Sequence, residues 1–192
     1  FAGRGGFDLI LGNPPWVQIA WNEGDLLSER NPQFAIRKLS APMIAQAREQ
    51  QLDIAGQRKA YFDEYTEFEG IQEFLNAVQN YPLLQGQKAN LYKCFLPRAW
   101  GLTSLEGVTG FLHPEGIYDD PSGGLLRREV YPRLRTHLQF QNEVHLFPEV
   151  DHHAKFSVNI YHRKGTPNFT SVSNLFVVSA VTSFDLSINA AI

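Results

Sequence analysis

Four consecutive residues near the start of the chain combine groups that can bind and orient a small planar ligand: Asn13, Pro14, Pro15 and Trp16. They follow Gly12 and an apolar run over residues 7–11, which predicts a strand buried on both faces. The two prolines fix successive φ angles and remove two N–H donors, so the turn is stiff. We expect it to present the Asn13 amide, the Pro14 carbonyl oxygen and the Trp16 indole outward. Ligands of parallel α/β sheets bind at the carboxyl ends of strands, so this turn is the first candidate site.

An Asn-Pro-Pro-aromatic sequence after an apolar strand resembles the catalytic motif of amino-methyltransferases that use S-adenosylmethionine, above all the adenine-N6 DNA methyltransferases. Two other segments are similar to that family: Asn-Leu-Tyr-Lys-Cys-Phe at 90–95, and the sequence from Val108 to Tyr161. The resemblance covers most of residues 7–164. It is closest to large bacterial methylases of the restriction–modification and phage-defence type, and it implies the same activity here.

The resemblance gives each residue of the motif a role. Asn13 and the carbonyl of Pro14 would accept both hydrogens of the target amino group, which favours the pyramidal nitrogen of the transition state. They would also contact the methyl donor, S-adenosyl-L-methionine, and Pro15 would hold the turn rigid. Trp16 would stack on an adenine flipped out of double-stranded DNA. Phe156 is the predicted second face of that stack, with Phe147 as the alternative, and no metal is expected.

The resemblance also implies a fold: an α/β protein that is the C-terminal half of a Rossmann-like S-adenosylmethionine-dependent methyltransferase sheet with a helical insert. Residues 1–165 would form a partial catalytic domain, with the insert at about 17–89. Residues 166–192 would be edge strands or a linker towards a target-recognition domain. The family's Gly-rich cofactor loop lies upstream of the motif and is not in this chain. We therefore expect the rest of a parent polypeptide to supply the cofactor-binding N-terminal half, and the chain alone to be inactive.

The remaining sequence predicts the elements that position the motif. The predicted helices lie at about 42–54, 57–81, 90–102 and 125–138. The predicted strands lie at 107–117 (with its exit turn), 140–147 and 156–161. Asn-Glu-Gly-Asp at 22–25 predicts a turn.

Composition restricts the partners and the compartment. The formal net charge of −3 gives no overall nucleic-acid signature, so DNA contacts would have to come from a local basic patch or from the missing parts of the protein. The densest positive charge comes from Arg127, Arg128, Arg133 and Arg135. These arginines either touch phosphates or form an ordinary exposed helix face. The single Cys94 excludes an internal disulfide and suits a reducing compartment, here the bacterial cytoplasm. No apolar run reaches the ~18 residues of a membrane span, so no membrane partner is expected.

Other reactive side chains have ordinary structural explanations. We interpret Cys94 as a small buried residue and His113 as a hydrogen-bonded residue of a loop. The acidic residues of the 57–81 helix suit a solvated face better than a metal site. His152 and His153 would point to opposite sides of an extended chain, which argues against joint metal ligation.

Three alternatives to adenine-N6 methylation stay open. The same motif serves glutamine-N5 protein methyltransferases and guanine-N2 RNA methyltransferases, although an insert as long as residues 17–89 is unusual there. The third alternative is a degenerate, non-catalytic methylase fold that acts as a DNA-binding subunit.

Overall fold

The structure is a computed structural model that describes residues 5–30, 32, 36, 40–88 and 90–183. Its strands are β1 (Phe7–Gly12), β2 (Thr103–Pro114), β3 (Leu134–Gln141), β4 (Lys155–Tyr161) and β5 (Thr170–Leu175). Its α-helices are α1 (Glu23–Arg30), α2 (Ala41–Leu52), α3 (Gln57–Asn76), α4 (Leu91–Leu102), α5 (Gly116–Asp119), α6 (Gly124–Val130) and α7 (Ser179–Ser183). Short 3₁₀ turns lie at Pro82–Leu84 and Asn142–Val144.

In the described part of the chain the strands form one sheet in the order β1-β2-β4-β3-β5. β1 pairs parallel to β2, β3 pairs parallel to β5, and β4 is antiparallel to both of its neighbours. β1, β2, β3 and β5 therefore run in one direction, and their carboxyl ends meet at one edge of the sheet. The structure confirms the predicted α/β class with a mixed sheet.

The two faces of the sheet are covered differently, because side chains alternate between the faces along each strand. One face packs against α4 and α6, where Leu96, Leu126 and Val130 are 0% exposed. The other face carries a smaller apolar cluster in which Phe140 and Phe156 stack, with ring centroids 5.6 Å apart. We call these the helix-covered face and the aromatic face.

β1 is a strand, as its sequence predicts, but the expectation that it is buried was wrong. Leu9 is 56% and Leu11 is 69% exposed. The sheet order places β1 at the edge, so it has a described strand beside it on one side only. An apolar run predicts burial only when neighbouring elements cover both faces of the strand.

The predicted helix at 125–138 is confirmed only over its first six residues, and its second half was wrong. α6 ends at Val130, and β3 begins at Leu134, after Pro132. Leu126, Val130, Leu134 and Leu138 are all buried and lie four residues apart, which imitates one face of a helix. Pro132 prevents that helix from continuing, because proline has no N–H and its ring clashes with the preceding turn.

The predicted strand at 140–147 ends early. β3 stops at Gln141, and Asn142–Val144 forms a 3₁₀ turn. Phe147 therefore lies in the loop that joins β3 to β4, whereas β4 agrees with the predicted strand to within one residue.

The described residues of the insert form α1, α2, α3 and the 3₁₀ turn at Pro82–Leu84. α1 occupies residues predicted as a turn, and the Asn22 side chain accepts a hydrogen bond from the N–H of Asp25 at its start (3.3 Å). Trp21 packs against Tyr61, Tyr65 and Phe68 of α3, with centroid distances of 5.7, 5.1 and 5.4 Å. α3 ends at Asn76, five residues before the predicted Tyr81. None of the helices that the structure describes is long and apolar enough to cross a membrane.

Candidate functional site

The Asn-Pro-Pro-Trp turn leaves β1 at the edge where the parallel strands end. Asn13 is exposed and Pro14 is buried, so the turn packs against the protein through Pro14 while the Asn13 amide stays accessible to solvent. The following segment is fixed to the start of α4: the N–H of Leu91 donates to the carbonyl of Val17 (2.9 Å). A β-bridge between Gln18 and Asn90 adds a second tie. The turn is therefore held at both of its ends.

Trp16 is half-buried and lies against the aromatic face. Its indole N–H donates a long hydrogen bond to the carbonyl of Leu112 in β2 (3.4 Å). Its ring meets Phe147 edge-on at 5.2 Å and Phe156 at 5.7 Å with a tilt of 35°. The motif near the start of the sequence thus meets two aromatic residues that are distant from it in the chain.

Phe156 does not lie across a gap from Trp16. It is 3% exposed and stacks on Phe140. A base between two rings separates them by about 7 Å, which is twice a ~3.5 Å van der Waals contact. The observed 5.7 Å leaves no such space, so a sandwich between these two rings requires one of them to move, and this role of Phe156 stays a prediction. Phe147 is half-buried and is the more accessible of the two phenylalanines.

Asn142 organises the loop that carries Phe147, and sequence reasoning missed it. Its side chain is 0% exposed. Its Nδ2 donates to the carbonyls of Phe147 (2.9 Å) and Val150 (2.8 Å), and its Oδ1 accepts from the N–H of Phe147 (3.0 Å). These bonds fix the backbone at Phe147 from inside the loop. The only sequence signal is a polar amide directly after a strand.

His113 is a structural residue within the helix-covered face. It is 0% exposed and lies on β2 itself, not in the predicted loop. Its Nε2 accepts hydrogen bonds from the Tyr161 hydroxyl (2.8 Å) and Asn159 Nδ2 (3.0 Å), which leaves Nδ1 to donate to the carbonyl of Pro114 (2.9 Å). Burial lowers the pKa of His113 to about 4, so the imidazole is neutral at pH 7.

Glu115, a buried carboxylate, lies directly after the carboxyl end of β2. Its two oxygens accept hydrogen bonds from His137 Nε2 and Gln139 Nε2, both at 3.1 Å. Burial acts to raise the pKa of Glu115, but hydrogen bonds from His137, Ser157 and Gln139 outweigh it, and the pKa is lowered. Glu115 therefore stays ionised and ties β3 and β4 to the turn after β2.

Most arginines of the predicted basic patch form hydrogen bonds or ion pairs within the fold. Arg127 donates to the carbonyl of Ile117 within α5 (3.0 Å) and to the carbonyl of Asp120 directly after it (2.5 Å). Arg133 pairs with Glu129 at 2.6 Å, Arg135 donates to backbone carbonyls, and Arg128 is exposed.

Cys94 is a small buried residue, as the sequence predicts. Burial raises the pKa of its thiol to about 11, so the reactive thiolate is disfavoured.

His152 and His153 do not lie in an extended segment, so the geometric reason against joint ligation was wrong. The chain turns at these residues, and their ring centroids are only 3.7 Å apart.

A cavity of about 590 Å³ opens beside the exit of the turn, where β1 and β2 end. Its lining includes Gln18, Asn90, Tyr92, Lys93, Pro114 and Asp120. Lys93 Nζ pairs with Asp120 at 2.7 Å, whereas Oδ1 of Asn90 is buried without a hydrogen-bond partner. The volume is in the range of small-molecule sites, about 300–1,000 Å³.

No family model matches this chain, and no curated protein sequence matches it. Among solved structures, the chain is similar to the methyltransferase subunit of a type I restriction–modification system from Streptococcus thermophilus. The two share 13% sequence identity with a TM-score of 0.49. The similarity covers 93% of this chain and 30% of that subunit, so this chain spans less than a third of its length.

Proposed function

We propose that this chain is the catalytic half of an S-adenosylmethionine-dependent methyltransferase that methylates the N6 amino group of adenine in double-stranded DNA. The parent polypeptide would supply the remainder of the cofactor site and a target-recognition domain. Its role would be restriction–modification or phage defence in the bacterial cytoplasm.

One observation carries this proposal: an accessible Asn13 and a half-buried Trp16 belong to one turn that is held at both ends. In this proposal the exposed Asn13 Oδ1 is one acceptor for the amino group, and the carbonyl of Pro14, a residue that is buried in this chain, is the second. Both hydrogens of an exocyclic amine can then be held while its nitrogen becomes pyramidal. This step needs no acid–base residue, which agrees with the structural roles of His113 and Glu115 described above.

The residues that are present fit a contact with the methyl donor. Asn13 and Pro14 would hold it at the end of β1, and the cavity beside Asn90 and Tyr92 offers polar groups, including the unpartnered Asn90 Oδ1. S-adenosylmethionine, when bound, supplies the methyl group. The chain's own contribution is to position the acceptor amine and to keep the turn rigid.

Trp16 provides the stacking surface for the flipped base in this proposal. Phe147 is the better placed partner for it, because it is half-buried in a loop, whereas Phe156 is enclosed by Phe140. Replacing each phenylalanine by leucine in the parent protein separates the two assignments. We expect Phe147→Leu to lower turnover without destabilising the fold, and Phe156→Leu to destabilise the fold.

The direct test is Asn13→Ala in the parent polypeptide, with unmethylated plasmid DNA and a labelled methyl donor. We expect methyl transfer to fall by at least two orders of magnitude while the affinity for DNA is unchanged, because Asn13 acts on the reacting amine. The matched control is Asn168→Ala, another exposed asparagine, which lies in the loop before β5. Retained turnover in Asn13→Ala would remove the assignment.

The product identifies the substrate class. N6-methyladenine in digested DNA supports the proposal, whereas labelled glutamine or guanine-N2 in protein or RNA would support one of the alternatives. DNA binding with no transfer by the wild-type parent would indicate the non-catalytic subunit. The chain alone should bind the donor more weakly than the micromolar range, and tighter binding would contradict its description as a partial site.

A further inference from the structure

Three neighbouring side chains in the loop between β3 and β4 present metal-ligating atoms to one another. The ligand atoms of Asp151, His152 and His153 all lie within 4.8 Å, and all three residues are exposed. A third imidazole approaches from the other end of the same loop, since the ring of His145 lies 6.1 Å from that of His152. Within the described residues, no other group of His, Cys, Asp and Glu side chains meets this criterion.

The backbone holds the two ends of this loop in place. His145 follows the 3₁₀ turn, adopts a left-handed conformation with φ of 53°, and donates its N–H to the carbonyl of Asn142 (2.8 Å). At the other end, the Ala154 N–H donates to the backbone carbonyl of Asp151 (3.0 Å), and the Ala154 carbonyl accepts from the N–H of Asn142 (3.1 Å). The candidate ligands thus project from two turns that are both hydrogen-bonded to Asn142.

We propose that His145, Asp151, His152 and His153 form a binding site for a borderline divalent cation of the Zn²⁺ class. Three imidazoles and a carboxylate are a ligand set that tetrahedral zinc accepts. Bonds of about 2.1 Å at tetrahedral angles place ligand atoms roughly 3.4 Å apart, so the observed spacing must contract slightly. Mg²⁺ and Ca²⁺ are poor candidates because they prefer oxygen ligands.

Asp151 can contribute while keeping its present hydrogen bond. Its Oδ1 accepts from the backbone N–H of His153 at 2.7 Å and lies 3.4 Å from His153 Nδ1. The second carboxylate oxygen is available for a cation, and the imidazole of His153 can turn towards it because the side chain is exposed. Cross-linking the two turns would shorten the free segment that carries Phe147. The site does not depend on the proposed methyltransferase function.

Titration of the chain with Zn²⁺, followed by calorimetry, tests the site. We expect one saturable site per chain, weakened at least tenfold in the double variant His152→Ala/His153→Ala and several-fold in His145→Ala. The matched control is His162→Ala, which removes a histidine that follows β4, outside the loop. Mg²⁺ in place of Zn²⁺ should give no saturable binding.

Amide hydrogen exchange supplies a second readout of the same site. Bound Zn²⁺ should slow exchange within residues 143–153 of the wild-type chain and leave the double variant unchanged. Because the substituted side chains are exposed, the variants should keep the wild-type unfolding midpoint, so a negative result cannot be attributed to misfolding. The proposal is overturned by the absence of saturable binding, or by equal binding to the wild-type chain and the double variant.

Discussion

The two faces of the sheet hold aromatic residues in opposite settings. On the helix-covered face, Tyr161 and His113 are 0% exposed and share a hydrogen bond within a fully enclosed network. On the aromatic face, Trp16 and Phe147 are only half-buried and touch edge-on, beside an edge strand with exposed leucines. The first arrangement suits a fixed scaffold, and the second suits a surface that must accept another molecule.

The difference shows why burial, more than residue type, separates structural from functional candidates here. His113 has the side chain most often used in catalysis, yet it is enclosed and neutral. Asn13 has a less reactive side chain, but it is exposed at the edge where the parallel strands end. Asn13 is a functional candidate because it is exposed at that edge, on a turn that is packed against the protein.

The largest expected contrast between the two faces concerns leucine truncation. Leu96→Ala on the helix-covered side should cost about 4 kcal/mol of unfolding free energy, since deletion of fully buried leucines leaves a cavity. Leu11→Ala on the aromatic side should stay within about 0.5 kcal/mol, because Leu11 is 69% exposed. Urea denaturation of both variants measures the contrast, and equal losses would mean that the two faces are not differently covered.

The next largest effect is a pH dependence that originates in the helix-covered face. The pKa of His113 is about 4 in the folded chain and about 6.5 when unfolded, so the unfolded state binds more protons between these values. Stability should therefore fall as pH drops from 6.5 to 4, by on the order of 3 kcal/mol from this group. Denaturation at pH 7, 5.5 and 4.5 should give a flatter profile for His113→Gln than for the wild type. His162→Gln should keep the wild-type slope, and a His113→Gln slope equal to the wild type would contradict the assignment.

A smaller effect is expected at the base of the Phe147 loop. Asn142→Ala removes several buried hydrogen bonds and leaves backbone groups of Phe147 and Val150 without their partner, at a cost of roughly 2 kcal/mol. Hydrogen exchange should quicken across residues 143–153 and stay unchanged in β4. Asn168→Ala is the matched control, and protection of the loop equal to wild type would show that Asn142 does not hold it.

Local sequence patterns predicted the parts of the molecule that depend on neighbouring residues. The Pro14-Pro15 pair restricts its own backbone, and the alternation in Lys155–Tyr161 identifies β4 without other information. Helix α4 begins one residue after the predicted start. Asn90 precedes the helix, and its side chain makes no hydrogen bond that caps it.

The features that were missed depend on contacts distant in the sequence. The exposure of β1 follows from its place in the strand order, which no local pattern contains. The helix predicted at 125–138 is the exception, because the signal against it is local: the spacing of Leu126, Val130, Leu134 and Leu138 fits a helix, but Pro132 lies inside that run. The meeting of Trp16 with Phe147 and the anchoring by Asn142 both require the finished sheet.

The position of β1 has a practical consequence for solution work. An edge strand can accept a further strand along its outer side, and apolar side chains make such additions favourable. With Leu9 and Leu11 facing solvent, we expect the isolated chain to self-associate as its concentration rises. Dilute samples, or measurements at several concentrations, are therefore needed before any affinity is attributed to the monomer.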